Sequence, residues 1–525
     1  MNPHPDIAAT LPIWHAVLVM GPALAAIGAA LFAGPAVSTP AAWRAARLAA
    51  SAGVGCAALS LAAVLLGSQG SGHGLRADAV GSTVMLLVAF VGWVIVRYSQ
   101  AYLSGEGQER HYVRWLMATL GTVGVVVATN HVLVLALAWT ATSLALHRLL
   151  TFFADRPPAV VAAHKKFIVG RAADLCMLVA AALLFLAFGT LHIDQIARQA
   201  ATAAQLPWAA HAAAVLIACA ALLKCAQLPF HGWLIQVMEA PTPVSALLHA
   251  GVVNLGGFVL LRFALLVSGV PAAQALLVVA GTATAVLAAL VMTTRISVKV
   301  MLAWSTCAQM GFMLMQCGLG AWEMALLHLT AHSLYKAHAF LGSGGAVRRS
   351  LLMDLTPQAK RPGPIGLALG AVIGVGMTWA AGTAWGWLVP APTFSPTLWV
   401  LAGIVALALV PLVHVRSPRL GGWWPLALAA AAFGVAFAYF GLHLLFAAWL
   451  LPNAATPPAP LLIGVALAFA GLFLVQCSIT VAPNGALARR LYPWFYGGLF
   501  LDEKFNRIMF KLSPPPAPTT PGAQA

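Results

Sequence analysis

The chain has 525 residues, 61% of them hydrophobic and 8% charged, with a formal charge of +16. A water-soluble fold of this length needs far more polar surface, so a soluble globular protein is excluded. The basic excess is scattered between apolar runs rather than gathered in a separate domain, which excludes a nucleic-acid-binding protein.

Apolar runs long enough to cross a membrane recur along nearly the whole chain. They lie near 12–33, 46–67, 79–97, 115–129, 131–153, 166–188, 207–227, 242–267, 273–293, 300–317, 323–343, 365–387, 397–414, 423–450 and 461–482. The fold class expected is an all-α polytopic membrane protein of about 13–15 transmembrane helices. Alternate loops hold Arg44, Arg47, Arg97, Arg110, Arg114, Arg156, Lys165, Lys166, Arg295, Lys299, Arg348, Arg349, Lys360, Arg361, Arg416 and Arg419, and the opposite loops only Arg76 and Arg198. This positive-inside bias places the N-terminus outside and the C-terminus in the cytoplasm. The N-terminus lacks a basic n-region and carries Asp6, so no cleaved signal peptide is expected. The seven cysteines are scattered in apolar segments without a CxxC pair, as expected of small buried hydrophobes.

An ionisable group in hydrocarbon costs at least about 2.5–3.5 kcal/mol, so the few inside the runs are candidates for function. Lys224 ends one run, Pro229 follows, and Glu239 precedes Pro241 and Pro243. The next run carries His249 and Asn254. Two readings are open: a discontinuous helix whose freed backbone and charges line a wet cavity, or a short loop with Lys224 snorkelling to the interface. Further on, His328, His332 and Lys336 fall at i, i+4 and i+8, one helix face, with His338 on another. That face suits a proton path, structural hydrogen bonding or a metal, and a metal needs a third ligand for which Glu323 is badly placed. In 164–175, Lys165 and Lys166 flank a helix, and Arg171 and Asp174 are spaced for a local ion pair, for packing or for transport.

The segments KCAQLPFHGWLIQVMEAPTPVSALLHAG (224–251), FIVGRAADL (167–175), SVKVMLAWSTCAQMGFMLMQCG (297–318) and HLTAHSLYKAHAFLGSG (328–344) resemble the antiporter-like membrane subunits of respiratory complex I and Mrp-type sodium/proton antiporters. The resemblance runs in order from about Val80 to Arg349. It implies an antiporter-like fold with inverted repeats and discontinuous helices, with a proton pathway through Lys224, His249, His328, His332 and Lys336. Glu239 joins that path, with Arg171, Asp174, Asn254 and Lys299 in support. The organisation expected is transmembrane helices over 1–108, a proton-translocating core over 109–350, further transmembrane helices over 351–485, an amphipathic cytoplasmic segment over 486–512 and a disordered tail over 513–525.

The departures from complex I are specific. The glutamate that follows a tryptophan on its fifth helix is Thr140 here, after Trp139, and Glu239 is the substitute partner expected for Lys224. No Asp, Glu, Lys or Arg occurs between Arg361 and Arg416 or between Arg419 and Arg489, so its late lysine is absent. GWLVPAPTFSP (386–396) echoes GWLIQVMEAPTP, which hints at an inverted repeat. The chain is most similar to the branch serving inorganic-carbon (CO2/bicarbonate) pumps. That resemblance implies a bacterial inner-membrane subunit, driven by H+ or Na+, in a heterodimer with a large zinc-containing cytoplasmic protein, DabA. The carbonic-anhydrase-like chemistry and the zinc belong to that partner. No catalysis, cofactor or metal is expected in this chain. A proton-pumping subunit of an NADH-quinone oxidoreductase-like complex and an Mrp-type antiporter subunit are the alternatives. The aromatic stretch 487–512 suits either a helix in the membrane interface or a handle for the partner.

Overall fold

The computed structural model describes residues 10–153, 155–346, 350–351, 363–389, 394–410, 423–448 and 457–514. Arg348, Arg349, Lys360, Arg361, Arg416, Arg419, part of the 386–396 echo and most of the Pro-rich tail lie outside them.

Helices account for nearly all of it, because a backbone in hydrocarbon must satisfy its own hydrogen bonds. In chain order they are α1 Ile13–Phe32, α2 Thr39–Leu65, α3 Ala79–Tyr102, α4 Glu109–Ala128, α5 Val132–Leu150, α6 Pro157–Phe188, α7 Ile193–Thr202, α8 Trp208–Lys224, α9 Gly232–Gln236, α10 Thr242–Ala250, α11 Leu255–Arg262 and α12 Ala264–Ser268. There follow α13 Pro271–Met292, α14 Val298–Gly318, α15 Trp322–Leu341, α16 Pro364–Leu388, α17 Pro396–Leu409, α18 Trp424–Ala447, α19 Ala459–Val481, α20 Ala486–Tyr496 and α21 Leu501–Leu512. Proline in the first turn starts α2, α6 and α13, where its missing N–H is no loss.

Twelve described spans are long and apolar enough to cross a membrane, with α10 and α11 together forming one. α8 and α17 are shorter apolar helices. α15 is 20 residues long but is not among the twelve, since its histidines, lysine and glutamate lower its hydropathy. Large apolar side chains such as Leu31, Leu186 and Trp387 remain exposed, as a lipid-facing surface requires.

One end of the bundle is closed by a hairpin, β1 Gly70–Gly72 and β2 Leu75–Ala77, with Ser71 opposite Arg76. Asp78 there caps α3 through the Gly81 N–H at 2.7 Å and takes both Arg76 and Arg262 at 2.6 Å. Burial alone would raise its carboxyl, but those two cations outweigh it and hold Asp78 below its ordinary value. Asp194 accepts from Asn130 at 2.6 Å and Ser71 at 2.9 Å, tying α7 to the hairpin. It too lies below its ordinary value, as those hydrogen bonds and then Arg198 and Arg76 override its burial.

The main core runs from α1 through α15, and a second cluster packs Leu398, Leu401, Phe440 and Phe469 onto Val278, Met315 and Met324. α13 and α14 touch backbone to backbone, since a Cβ on Gly281 would lie 2.6 Å from the Gly311 carbonyl oxygen, and the reverse holds.

One expectation is corrected: α6 begins at Pro157, so Lys165 and Lys166 lie inside a helix and are buried, rather than flanking one. The apolar run 242–267 is discontinuous: it breaks at Gly251 and passes through a 3-10 turn at Val252–Asn254.

Candidate functional site

α8 stops at Lys224, and the chain turns through 225–231 before α9. The break leaves the Lys224 side chain 9% exposed, facing Asp174 on α6 at 2.6 Å, with the Asp174 side chain 8% exposed. Arg171 grips the other oxygen of Asp174 at 2.6 Å. Lys224 also donates to the Trp139 carbonyl at 3.3 Å and sits 4.4 Å from the Trp139 ring centroid, a cation–π contact. Lys166 is buried alongside and donates to the Ser143 carbonyl at 2.5 Å and hydroxyl at 3.0 Å. Both lysines line one cavity of about 30 Å³ with Trp139, Thr142 and Trp233. Water needs about 10–15 Å³ by this measure, so the cavity has room for it.

The second break lies beside the second group. His249 is fully buried at the end of α10, its ring stacked 4.4 Å from Phe340 on α15. On α15, His332 and Lys336 are buried and His328 half-buried, with 6.0 Å between the His328 and His332 rings, while His338 is exposed. Lys336 donates to the Ser305 hydroxyl at 2.7 Å and the Leu302 carbonyl at 3.3 Å. Among the described residues it has no ion pair. Both ring nitrogens of His249 and of His332 are buried without a protein partner. Asn254 bridges the break to α15 by donating to Ser333 at 2.7 Å. Lys299 donates to Thr242 at 2.9 Å, tying α14 to the start of α10. The third ligand that a metal on the His328–His332 face needs is not supplied: among the described residues no group of three His, Cys, Asp or Glu is placed to hold one.

Glu239 lies elsewhere. Its side chain is 42% exposed and pairs with Arg156 at 3.5 Å, so the acid that meets Lys224 is Asp174. The reason is geometric: Lys224 ends its helix facing α6, whereas Glu239 lies beyond α9 in the connection to α10.

α20 and α21 fold back onto the break. Asp502 meets Lys165, whose side chain is 1% exposed, at 3.0 Å and accepts from Gln236 at 2.8 Å. A Cβ at Gly232 would collide with the Asp502 carboxylate, so only glycine lets α21 approach this closely. Phe230 meets Phe505 edge to face, and Arg295 donates to the Phe495 carbonyl at 2.8 Å. Phe495 is buried, while Tyr492, Trp494, Tyr496 and Phe500 face outward.

Sequence reasoning missed the Lys224–Asp174 pair, the Lys165–Asp502 pair and a pair between Glu323 on α15 and His443 on α18 at 3.3 Å. The signal for the first was available: with 12 acids in 525 residues, one inside an apolar run is conspicuous.

Comparison with known proteins gives a consistent set of likenesses. Residues 129–358 match the family model for the transmembrane region of the NADH:quinone oxidoreductase/Mrp antiporters. The chain is 50% identical over 345 residues to a probable inorganic carbon transporter subunit DabB of Hydrogenovibrio crunogenus, covering 65% of this chain and 64% of that relative. It is 40% identical over 466 residues to the probable inorganic carbon transporter subunit DabB2 of Halothiobacillus neapolitanus, covering 85% and 83%. Its fold is similar to that of a chain in the Mrp complex from Dietzia sp., with a TM-score of 0.58 and 27% identity over 96% of this chain and 58% of that one. The match thus spans less than two thirds of the Hydrogenovibrio relative and of the Mrp chain.

Proposed function

This chain belongs to the DabB family of probable inorganic carbon transporter subunits, and we propose that it couples a cation gradient to inorganic carbon uptake by a large cytoplasmic zinc-binding partner resembling DabA. The cation is H+ in this proposal. Lysine and histidine nitrogens line the interior, and a Na+ site wants oxygen ligands. The chain sits in a bacterial inner membrane with its arginine-rich end in the cytoplasm, and it carries out no carbon chemistry itself.

One observation carries this: two buried lysines, each beside a helix break, one paired with a carboxylate and one not. A proton arriving at Lys336 meets only neutral oxygens, so charge there is held by hydrogen bonds alone. Lys224 shares Asp174 with Arg171, so its charge is matched only in part. His249 and His332 are buried with unpartnered nitrogens, each of which costs about 1–3 kcal/mol unless water or a moving proton satisfies it. Neutral imidazole both donates and accepts, which suits relay. His328 and the Glu323–His443 pair extend the ionisable groups along α15 toward its start. The Lys165–Asp502 contact joins the helix that holds Asp174 to α21, whose neighbour α20 presents the aromatic face that we assign to the partner.

The test is growth in ambient air of a bacterium lacking carbonic anhydrase. The chain is expressed with and without a large soluble zinc-protein partner. Rescue by the pair alone, lost with an uncoupler or with Lys336→Ala, supports the proposal. The likeness to the Mrp chain favours a second function, a cation/proton antiporter subunit. No rescue in air together with restored salt tolerance in an antiporter-deficient host moves the assignment there.

A further inference from the structure

Away from the lysines and histidines, α2 and α3 part at the arginine-rich end of the bundle to leave an open cleft of about 430 Å³. Arg47, Ser51, Trp93, Arg97 and Gln100 line it. Arg47 donates to the Gln100 amide oxygen at 2.7 Å, and Trp93 donates to Ser51 at 3.1 Å. The Arg97 guanidinium lies 4.8 Å from the Trp93 ring centroid. Among the described residues neither arginine has an ion pair. Two guanidinium groups thus face one cleft with no carboxylate between them, an arrangement that invites an anion with several oxygens.

The surroundings say what kind of anion. Arg97 is five residues from the end of α3, about 8 Å along the axis, which is headgroup depth. Trp93 also lines a narrow apolar crevice of about 30 Å³ with Ala26, Ala50, Met85, Val88 and Ala89. Leu48 and Phe90 are exposed on the same two helices, 72% and 42% respectively. A polar, doubly cationic cleft therefore continues into an apolar face. We propose that this cleft binds the phosphate headgroup of an anionic phospholipid, whose acyl chain follows the crevice past Trp93. A free phosphate or bicarbonate ion would use the arginines and leave the crevice without a role.

The experiment reconstitutes the full chain in phosphatidylcholine nanodiscs containing a minor fraction of phosphatidylglycerol, re-extracts it, and quantifies retained lipid by mass spectrometry. Phosphatidylglycerol is expected to be enriched over phosphatidylcholine. Each arginine near an anionic surface is worth about fivefold, so R47Q/R97Q should lose about thirtyfold. R47K/R97K keeps the charge without the planar fork and should retain part of the enrichment. R489Q/R490Q, which removes two charges elsewhere, should leave it unchanged. Ala89→Leu fills the crevice and should reduce phosphatidylglycerol retention with both arginines intact. Equal enrichment in R47Q/R97Q overturns the proposal. So does displacement of the lipid by millimolar phosphate or bicarbonate with no effect of Ala89→Leu, which would make the cleft a small-anion site.

Discussion

Replacing Asp174 with asparagine tests the centre of the site. The carboxylate lies 2.6 Å from Lys224 and 2.6 Å from Arg171, with both the Lys224 and Asp174 side chains under 10% exposed. At that separation and an effective dielectric constant of about 20, each attraction is about 6 kcal/mol before desolvation takes its share. Removing one member of a buried pair costs about 3–5 kcal/mol, because a charge is left without its counterion. The Trp139 carbonyl and ring soften the loss at Lys224 without replacing the acid. D174N should therefore melt at a lower temperature than the parent in detergent and fail to support growth in air with the partner. K224A/D174N removes the stranded charge and should recover much of the melting temperature while remaining inactive. D174N/T140E returns an acid to the residue after Trp139, whose carbonyl already contacts Lys224, and should restore part of the activity. A D174N chain with parental melting temperature and full uncoupler-sensitive growth would refute the reasoning.

Lys336→Ala should abolish growth in air while leaving membrane insertion intact, checked by the fluorescence of a fused reporter. D502N strands Lys165 and should cost about 3–5 kcal/mol, read as a lower melting temperature and easier proteolysis of α21. Gly232→Val, which expels the same carboxylate, should reproduce that phenotype, and wild-type proteolysis in both would count against the contact. Asp78 and Asp194 are held below their ordinary values, so each stabilises the fold above the unfolded carboxylate pKa. That stabilisation is lost as pH falls through the lowered folded value. The melting temperature should thus hold from neutrality to about pH 5 and fall below about pH 4, and D194N should show a shallower acid limb.

Local pattern carried the sequence reading as far as the breaks. Prolines after Lys224 announce the end of α8, and the i, i+4, i+8 spacing puts His328, His332 and Lys336 on one helix. What spacing cannot express is which distant residue meets a buried charge. Arg171 and Asp174 read as a self-contained pair, yet Asp174 has a second oxygen, and packing of α6 on α8 delivers Lys224 to it. Glu239 looked nearer in sequence, but the turn between carries it to Arg156. Lys165 and Lys166 read as loop residues because lysine is penalised in lipid. Asp502 and Ser143 satisfy them individually, which hydropathy averaged over a window cannot register. The break at Gly251 has no proline to announce it.

The contact between Asp502 and Lys165 joins residues 337 positions apart, and so fixes an order of events during biosynthesis. The helices that hold Lys224, His249 and Lys336 enter the membrane while residue 502 is still untranslated. Until it arrives, Lys165 lacks its carboxylate partner, and the space beside Gly232 that the Asp502 carboxylate takes is unfilled. A ribosome that stalls late thus leaves a nascent chain with Lys224, His249 and Lys336 already placed and this closing contact still missing.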